Sequence, residues 1–404
     1  MSASVQTLLK LSDRCVLCGL CLPHCPTYRH YGCEIDSPRG RITLIQSLLR
    51  EEIPLTADAL QPLQRCLLCT SCEAFCPSQV EYSRLLLLAK ERLQPTPPPR
   101  RPLLISLLLA SRSRPWLTHH LLTLYRHSGV ATVVGQSSAL SAQFRHYARR
   151  LQRRLRTSPR PSSDRSLSPP PQILLLKGCL GEAFDCTTLN DATTLLRHLG
   201  YRVLFLKEES CCGTIHRHQG DIQQAEALQQ ALAQQIEQQE ADTVLYSVGG
   251  CSHQYQNLPT SRSVSELVTF LAHHFREREL RGMPPLSPLP YTIALHQPCS
   301  SRNQLHNTDD LRYLLQLIPQ LKVELLPSNN FCCGAAGTHM VSDPQSAAAY
   351  RQPHLEAIAT IAPDIVVTPN LGCALHLEQA LAPGIELLHP VSLLCRALTI
   401  GNDP

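Results

Sequence analysis

No run of apolar residues in this chain of 404 approaches the roughly twenty that a membrane-crossing helix needs. The most apolar stretch, 103–124, is interrupted by Arg112, Arg114 and Pro115, so no spanning segment is expected. Aromatic residues are only 5% of the total, with one tryptophan, and the basic residues are not interleaved with aromatic or zinc-finger patterns. Nucleic acid is therefore not an expected partner. A G-x-G-x-x-G dinucleotide fingerprint is missing, and the first two sections of the chain hold no set of nucleophile, base and orienting group. The first twelve residues lack a basic start followed by a sustained apolar core, which predicts a reduced, cytoplasmic setting. Acidic residues are almost absent between Arg100 and Arg165, where thirteen arginines face a single acid, Asp164, and no lysine. That segment reads as a solvated basic helix and linker, or as a contact for an acidic partner or an anionic membrane surface.

What the chain has in quantity is cysteine, nineteen in all, an odd number that argues against complete pairing. Reduced, closely spaced thiols point to metal ligation or redox chemistry. With 43% apolar and 17% charged residues the chain is globular, and its length predicts several domains. Proline-rich punctuation at 94–102 and 157–171 divides it. We expect a unit at 1–93, an Arg-rich helical bridge at 94–171, and two further units at 172–286 and 287–404. Beyond Pro171, short β-branched or leucine-rich runs begin at Ile173, Val203, Thr243, Ile293, Val323 and Ile365 and alternate with helical patterns, which predicts βαβ units with a parallel sheet. This half repeats itself. Cys179, Cys211, Cys212 and Cys251 recur as Cys299, Cys332, Cys333 and Cys373, at offsets of 120, 121, 121 and 122.

The most specific motif lies in the first eighty residues. Cys15-x2-Cys18-x2-Cys21-x3-Cys25-Pro26 is followed by Cys66-x2-Cys69-x2-Cys72-x3-Cys76-Pro77. This is the spacing of two-cluster ferredoxins, in which three close thiolates hold one [4Fe-4S] cubane and the fourth reaches the other. One cluster then takes Cys15, Cys18, Cys21 and Cys76, and the other Cys66, Cys69, Cys72 and Cys25. Structural zinc also uses C-x2-C pairs, but the third cysteine and the trailing Cys-Pro do not suit it. The forty residues between the runs, with an amphipathic helix expected at Ile42–Arg50, resemble the α-helical dicluster domain of succinate dehydrogenase iron–sulfur subunits.

In each repeat the cysteines should fall at the carboxyl ends of parallel strands, where open α/β sheets place their ligands and where helix amino termini would lower thiol pKa values. The pattern resembles the CCG, or cysteine-rich, domain of heterodisulfide reductase, whose C…CCG…CxxC set can bind a noncubane iron–sulfur cluster. Gln254 and His376 stand where that motif has its fifth cysteine. Cys179, Cys211, Cys212, Cys251, Cys299, Cys332, Cys333 and Cys373 are therefore candidates for a third centre, for a redox role or for inherited structure. His296, His339, His216 and His218 are read as satisfied polar residues near strand ends, with a ligand or proton-transfer role as the alternative. Cys33, Cys186 and Cys395 are read as ordinary buried or half-buried thiols.

The order dicluster domain, bridge, CCG repeat, CCG repeat resembles the iron–sulfur subunit of bacterial glycolate oxidase. Similar to that family are Cys25-Pro-Thr-Tyr28, Ser37-Pro-Arg-Gly-Arg-Ile42, Arg65-Cys-Leu-Leu-Cys-Thr-Ser-Cys-Glu73, Cys76-Pro-Ser-Gln-Val-Glu-Tyr82 and Cys332-Cys-Gly-Ala-Ala-Gly-Thr338. The resemblance implies an electron-transfer subunit without flavin of its own, two [4Fe-4S] clusters, FAD-containing partner subunits that oxidise glycolate to glyoxylate, and a quinone-type acceptor. It also implies possible peripheral attachment at the inner face of the cytoplasmic membrane. Arg39 and Arg41 are read as docking residues. Lactate or glycerol-3-phosphate dehydrogenase complexes share the architecture, and a CCG-type disulfide reductase is the alternative of another class.

Overall fold

The computed structural model describes residues 4–93, 170–279 and 286–398. The expected arginine-rich bridge therefore lies almost wholly outside the described residues.

The first unit is helical, as its sequence predicts. Helix α1 (Val5–Ser12) starts where the Ser4 hydroxyl accepts the Thr7 amide, and α2 (Pro26–Tyr31) starts on the proline after Cys25. Helix α3 (Pro38–Leu49) is capped by Ser37, which accepts the Gly40 amide, with Pro38 in the first turn. It begins four residues before the expected amphipathic helix at Ile42, because that cap and proline supply an earlier start. Gly40 lets α3 lie on the short turn Glu34–Asp36: a Cβ there would overlap the Glu34 carbonyl. Helices α4 (Ala57–Arg65), α5 (Ser71–Ala74) and α6 (Tyr82–Arg92) complete the unit. Leu8, Ile42, Ile45, Leu63, Leu85 and Leu86 form its apolar centre.

The second half is two parallel-sheet α/β units. In the first, β1 (Gln172–Leu176), β2 (Arg202–Leu204), β3 (Thr243–Tyr246) and β4 (Ser263–Glu266) lie in the order β2-β1-β3-β4. In the second, β5 (Thr292–Leu295), β6 (Lys322–Leu325), β7 (Ile365–Val367) and β8 (Glu386–Leu388) lie in the order β6-β5-β7-β8. All pairings are parallel, with Leu174 opposite Val244 and Ala294 opposite Val366 at the centres. The central strands are buried on both faces, which is why they read as continuous apolar runs.

One core joins the two repeats. Leu189, Leu195 and Leu196 of the helix Cys186–His198 and Leu271 and Phe275 of the helix Leu267–Glu279 pack with Leu311, Leu314 and Leu315 of the second repeat and with Val391 and Leu394 near its end. Fully burying an aliphatic side chain is worth about 1.5–3 kcal/mol, so a shared core of this kind makes the repeats one body. At the seam, Asn307 Nδ2 of the second repeat donates to Glu266 Oε2 of the first at 2.9 Å.

Candidate functional site

In both repeats the strand order reverses between the first and third strands, β1/β3 and β5/β7. The crevice at such a switch point is where open α/β sheets accept ligands. Cys179 follows β1 and Cys251 follows β3; Cys299 follows β5 and Cys373 follows β7. The Cys-Cys-Gly loops enter from the adjoining strands. Their glycines are required: Gly213 has φ +82° and Gly334 φ +86°, and a Cβ would stand 2.6 Å from the Ala225 carbonyl oxygen or 2.9 Å from that of Ala347. The loop thus lies directly on the following helix and presents both thiols inward.

The structure brings all four cysteines of each repeat together. Cys211 and Cys212 pack with Cys179 and Cys251. In the second repeat the thiols form a row, Cys299 to Cys332 to Cys333 to Cys373, each hydrogen-bonded to the next. The expected lowering of these pKa values by helix termini does not occur. Cys299 is pushed well above the ordinary thiol range by its bond to Cys332 and by burial. Cys332 and Cys333 are also raised, because burial and neighbouring thiols outweigh the hydrogen bonds that favour the thiolate.

In the first unit the two cysteine runs have the same local form, offset by 51 residues. Leu17 (φ 55°) and Gly19 (φ 84°) flank Cys18 in the left-handed region, and Leu68 (φ 50°) and Thr70 (φ 57°) flank Cys69. Holding a non-glycine residue there costs on the order of 1 kcal/mol, and the same strain at matched positions marks a loop shaped to wrap something. Each loop does enclose a cavity. One, about 440 Å³ including its open mouth, is lined by Cys15, Cys18, Cys21, Cys72 and Cys76. The other, about 360 Å³, is lined by Cys25, Cys66, Cys69 and Cys72. Cys76 thus comes to the first set and Cys25 to the second, and Cys72 stands on the wall between them.

All nineteen cysteines are free of disulfides. Burial drives the Cys69 thiol up to about 12, and burial with Cys69 and Cys66 nearby drives Cys72 well above its ordinary value. The first cavity presents five cysteines and the second four, with Cys72 on both walls, and thiols set this closely fit iron–sulfur chemistry.

Sequence reasoning misplaced one of the two arginines. Arg41 is fully buried, not a docking residue. Its Nε donates to the Pro62 carbonyl at 2.6 Å and Nη2 to Thr27 Oγ1 at 2.8 Å, Nη1 reaches Cys25 Sγ at 3.9 Å, and Nη2 pairs with Asp36 Oδ1 at 3.5 Å. Burial opposes its charge, but Tyr82, Cys66, Cys25 and Asp36 together hold it positive. Arg39 binds Glu34 Oε1 at 2.6 Å and donates to the Leu17 carbonyl at 2.9 Å, pinning the first loop. Tyr82, whose hydroxyl lies 3.6 Å from Cys66 Sγ, was also missed. Nothing in the local pattern separates these polar residues from surface ones.

The second cavity is pressed against the repeats. Leu67 and Cys69 pack on Cys332 and Tyr350, with Cys299 alongside. Asn303 Nδ2 donates to the Cys69 carbonyl at 2.8 Å, Tyr31 pairs with Ser346 at 2.9 Å, and Arg29 stacks on Phe331. Toward the first repeat, Lys90 Nζ donates to the His218 carbonyl at 3.2 Å, and burial lowers its pKa to about 8. The first cavity faces outward: Cys18 is exposed, among exposed Val16, Leu17 and Leu20.

The histidines differ in place. His216 bonds Asp221, and His376, at the fifth-cysteine position, donates its Nε2–H to the Ala347 carbonyl at 2.9 Å. His339 is lowered by burial and packs near Tyr350. His296 is buried beside Cys333 and Cys373. Cys186 is buried at a helix start and burial raises the Cys395 thiol to about 11, whereas Cys33, expected to be at least half-buried, is exposed on the turn after α2.

Comparison with known proteins agrees with this layout. A 4Fe-4S dicluster domain model matches residues 11–80, and a cysteine-rich domain model matches 173–256 and again 293–378. The glycolate oxidase iron-sulfur subunit of Escherichia coli (strain K12) is 30% identical over 385 residues, covering 91% of this chain and 89% of that protein. The chain belongs to the glycolate oxidase iron–sulfur subunit family. The probable glycolate oxidase iron-sulfur subunit of Bacillus subtilis (strain 168) is 26% identical across 95% of this chain and 93% of its own length. Lactate utilization protein A of Bacillus thuringiensis is 22% identical over 55% of this chain and 98% of that protein. Membership in the glycolate oxidase iron–sulfur subunit family implies electron transfer within an oxidoreductase complex. Among the described residues no helix is long and apolar enough to cross a membrane.

Proposed function

We propose that this subunit carries electrons from a separate FAD-containing flavoprotein, which oxidises glycolate to glyoxylate, toward a quinone-type acceptor at the inner face of the cytoplasmic membrane. Cys15, Cys18, Cys21 and Cys76 hold one [4Fe-4S] cluster, and Cys66, Cys69, Cys72 and Cys25 the other. The observation that carries this reading is the pair of adjoining thiol-lined cavities with Cys72 between them, one opening outward beside Cys18 and the other buried against the second repeat. Clusters of this kind, when bound, supply one-electron oxidation and reduction. The chain's own part is to hold and shield. Its left-handed turns bend the loops round the cavities, Tyr82 and Arg41 offer hydrogen bonds and positive charge at the second set, and Leu67, Tyr350 and Asn303 close that set from water. On this reading 1–93 is the carrying unit, 94–171 the connection, and 172–286 and 287–404 the repeats that seat it.

The test is anaerobic purification followed by iron and labile-sulfide analysis and electron paramagnetic resonance. About eight irons per chain, reduced by glycolate only when the flavoprotein is added, support the reading. Reduction by glycolate without any partner, or a complex whose turnover survives loss of both cysteine runs, would sink it. Similarity to lactate utilization protein A favours lactate as the second reading, and the same assay with lactate separates the two.

A further inference from the structure

Helix α6 presents three residues to the second cysteine set at i, i+4 and i+8. Tyr82 is buried with its hydroxyl 3.6 Å from Cys66 Sγ, and Leu86 is buried in the core that Cys66 and Cys72 adjoin. Lys90 lies about two turns beyond Tyr82 on the same face. It is partly buried at the junction with the first repeat, where a Cβ on Gly220 would stand 2.9 Å from the Lys90 carbonyl oxygen. Its Nζ donates to the His218 carbonyl at 3.2 Å, and among the described residues no carboxylate pairs with it. An ammonium drawn out of water needs an anion to offset the loss of hydration. Burial opposes its charge, Cys66 favours it and Arg41 opposes it; with its pKa at about 8 it remains charged at neutral pH. The His218 ring does not share that charge, because burial and Lys90 lower its pKa to about 4.

The charges bearing on the second set are Arg41 and Arg65 against their shared Asp36, Glu73 beside Cys72, and Lys90. Without Lys90 they cancel. At the first set the lining cation, Arg39, is already paired with Glu34 at 2.6 Å, and the mouth opens to solvent beside exposed Cys18. On the two-cluster reading above, we propose that Lys90 is a positioning residue for electron transfer: its ammonium is the counter-charge of the second set and makes that inner site the electron-accepting one of the two. Electrons then enter at the outer set and settle on the inner. Reduction adds a negative charge to a site that four thiolates already make anionic, and burial against the second repeat makes that addition harder. A cation in the same low-dielectric region offsets this, whereas the paired and partly solvated Arg39 does little for the outer set.

The full chain, loaded with its clusters and purified anaerobically, is titrated potentiometrically with electron paramagnetic resonance as the readout, the two signals being assigned by Cys18→Ser and Cys69→Ser. In the parent chain the inner site should reduce at the more positive potential. Lys90→Met should lower the reduced-to-oxidised ratio of the inner site about tenfold at fixed potential, a negative shift of about 59 mV for a one-electron couple. The ratio of the outer site should stay within about twofold. Lys90→Gln, which keeps a donor for the His218 carbonyl but no charge, should shift the inner site as far, and Lys90→Arg should hold it within about threefold of the parent. Iron content and the presence of both signals report that each variant has folded. An unchanged inner-site ratio in Lys90→Met and Lys90→Gln, a shift in Lys90→Met that Lys90→Gln does not share or that Lys90→Arg does, or an outer site more positive than the inner one in the parent overturns the proposal. Two signals with no shift overturn it alone and leave the two-cluster reading standing; fewer than two in the parent overturn both.

Discussion

Arg41 is the residue whose removal should cost most outside the cysteines. Replacing it by methionine keeps much of the volume and leaves the Pro62 carbonyl without its 2.6 Å donor, Thr27 without its 2.8 Å donor, and Asp36, 1% exposed, without one of its two cations. Breaking a buried ion pair by removing one member costs about 3–5 kcal/mol. Asp36 keeps Arg65 at 3.2 Å, so the low end, roughly 3 kcal/mol, is expected. Denaturant unfolding of the cluster-loaded chain, followed by far-ultraviolet circular dichroism, measures it. Adding Asp36→Asn should recover roughly 1 kcal/mol, a coupling of the size contacting pairs show. Arg41→Lys should restore charge but not the forked geometry. A second readout is redox titration: losing a cation beside Cys25 and Cys66 disfavours the more negative, reduced cluster, so the potential of that site should move negative. An unchanged unfolding midpoint in Arg41→Met, or strict additivity with Asp36→Asn, would refute the reasoning.

Further outcomes follow from other sites. Cys69→Ser should halve the iron and remove one of two paramagnetic signals, and retention of both signals would refute the ligand assignment. Gly334→Ala should lower the unfolding free energy by at least about 1 kcal/mol, since the position is left-handed and a Cβ would strike the helix beyond; an unchanged midpoint contradicts the close approach. Glu266 has its pKa raised by burial from 4.5 to about 7, against the opposing amide bonds of Val268 and Thr269. The folded chain therefore binds this proton more tightly than the unfolded one, and its stabilising effect is complete below about pH 4.5 and lost as pH rises through about 7. Glu266→Gln should flatten that fall, worth up to roughly 3 kcal/mol, in a pH series of unfolding curves; an identical slope in both proteins rules the assignment out.

The spacing of the first eight cysteines made the 4Fe-4S dicluster domain legible, because three closely spaced cysteines with a trailing Cys-Pro form a local pattern that few other motifs share. The 120-residue repeat and the alternation of apolar runs with helical patterns were equally legible, since buried central strands such as Leu174–Leu176 can only be apolar. The fourth strand of each sheet was missed. Ser263–Glu266 and Glu386–Leu388 are short, partly exposed edge strands, and their polar residues carry no strand signal. The cap at Ser37 and Pro38 was present in the sequence and would have started α3 correctly.

By itself, then, the sequence determined that a dicluster cysteine pattern opens the chain and that one α/β domain occurs twice, because both are written in local spacing and periodicity. Only the tertiary structure decided what those sulfurs face. It turned Arg41 inward to the second cysteine set, pressed Cys69 on Cys332, and aimed His296 at Cys333 and Cys373. Those meetings join residues tens to hundreds of positions apart, and burial and strand order, not neighbouring sequence, bring them together.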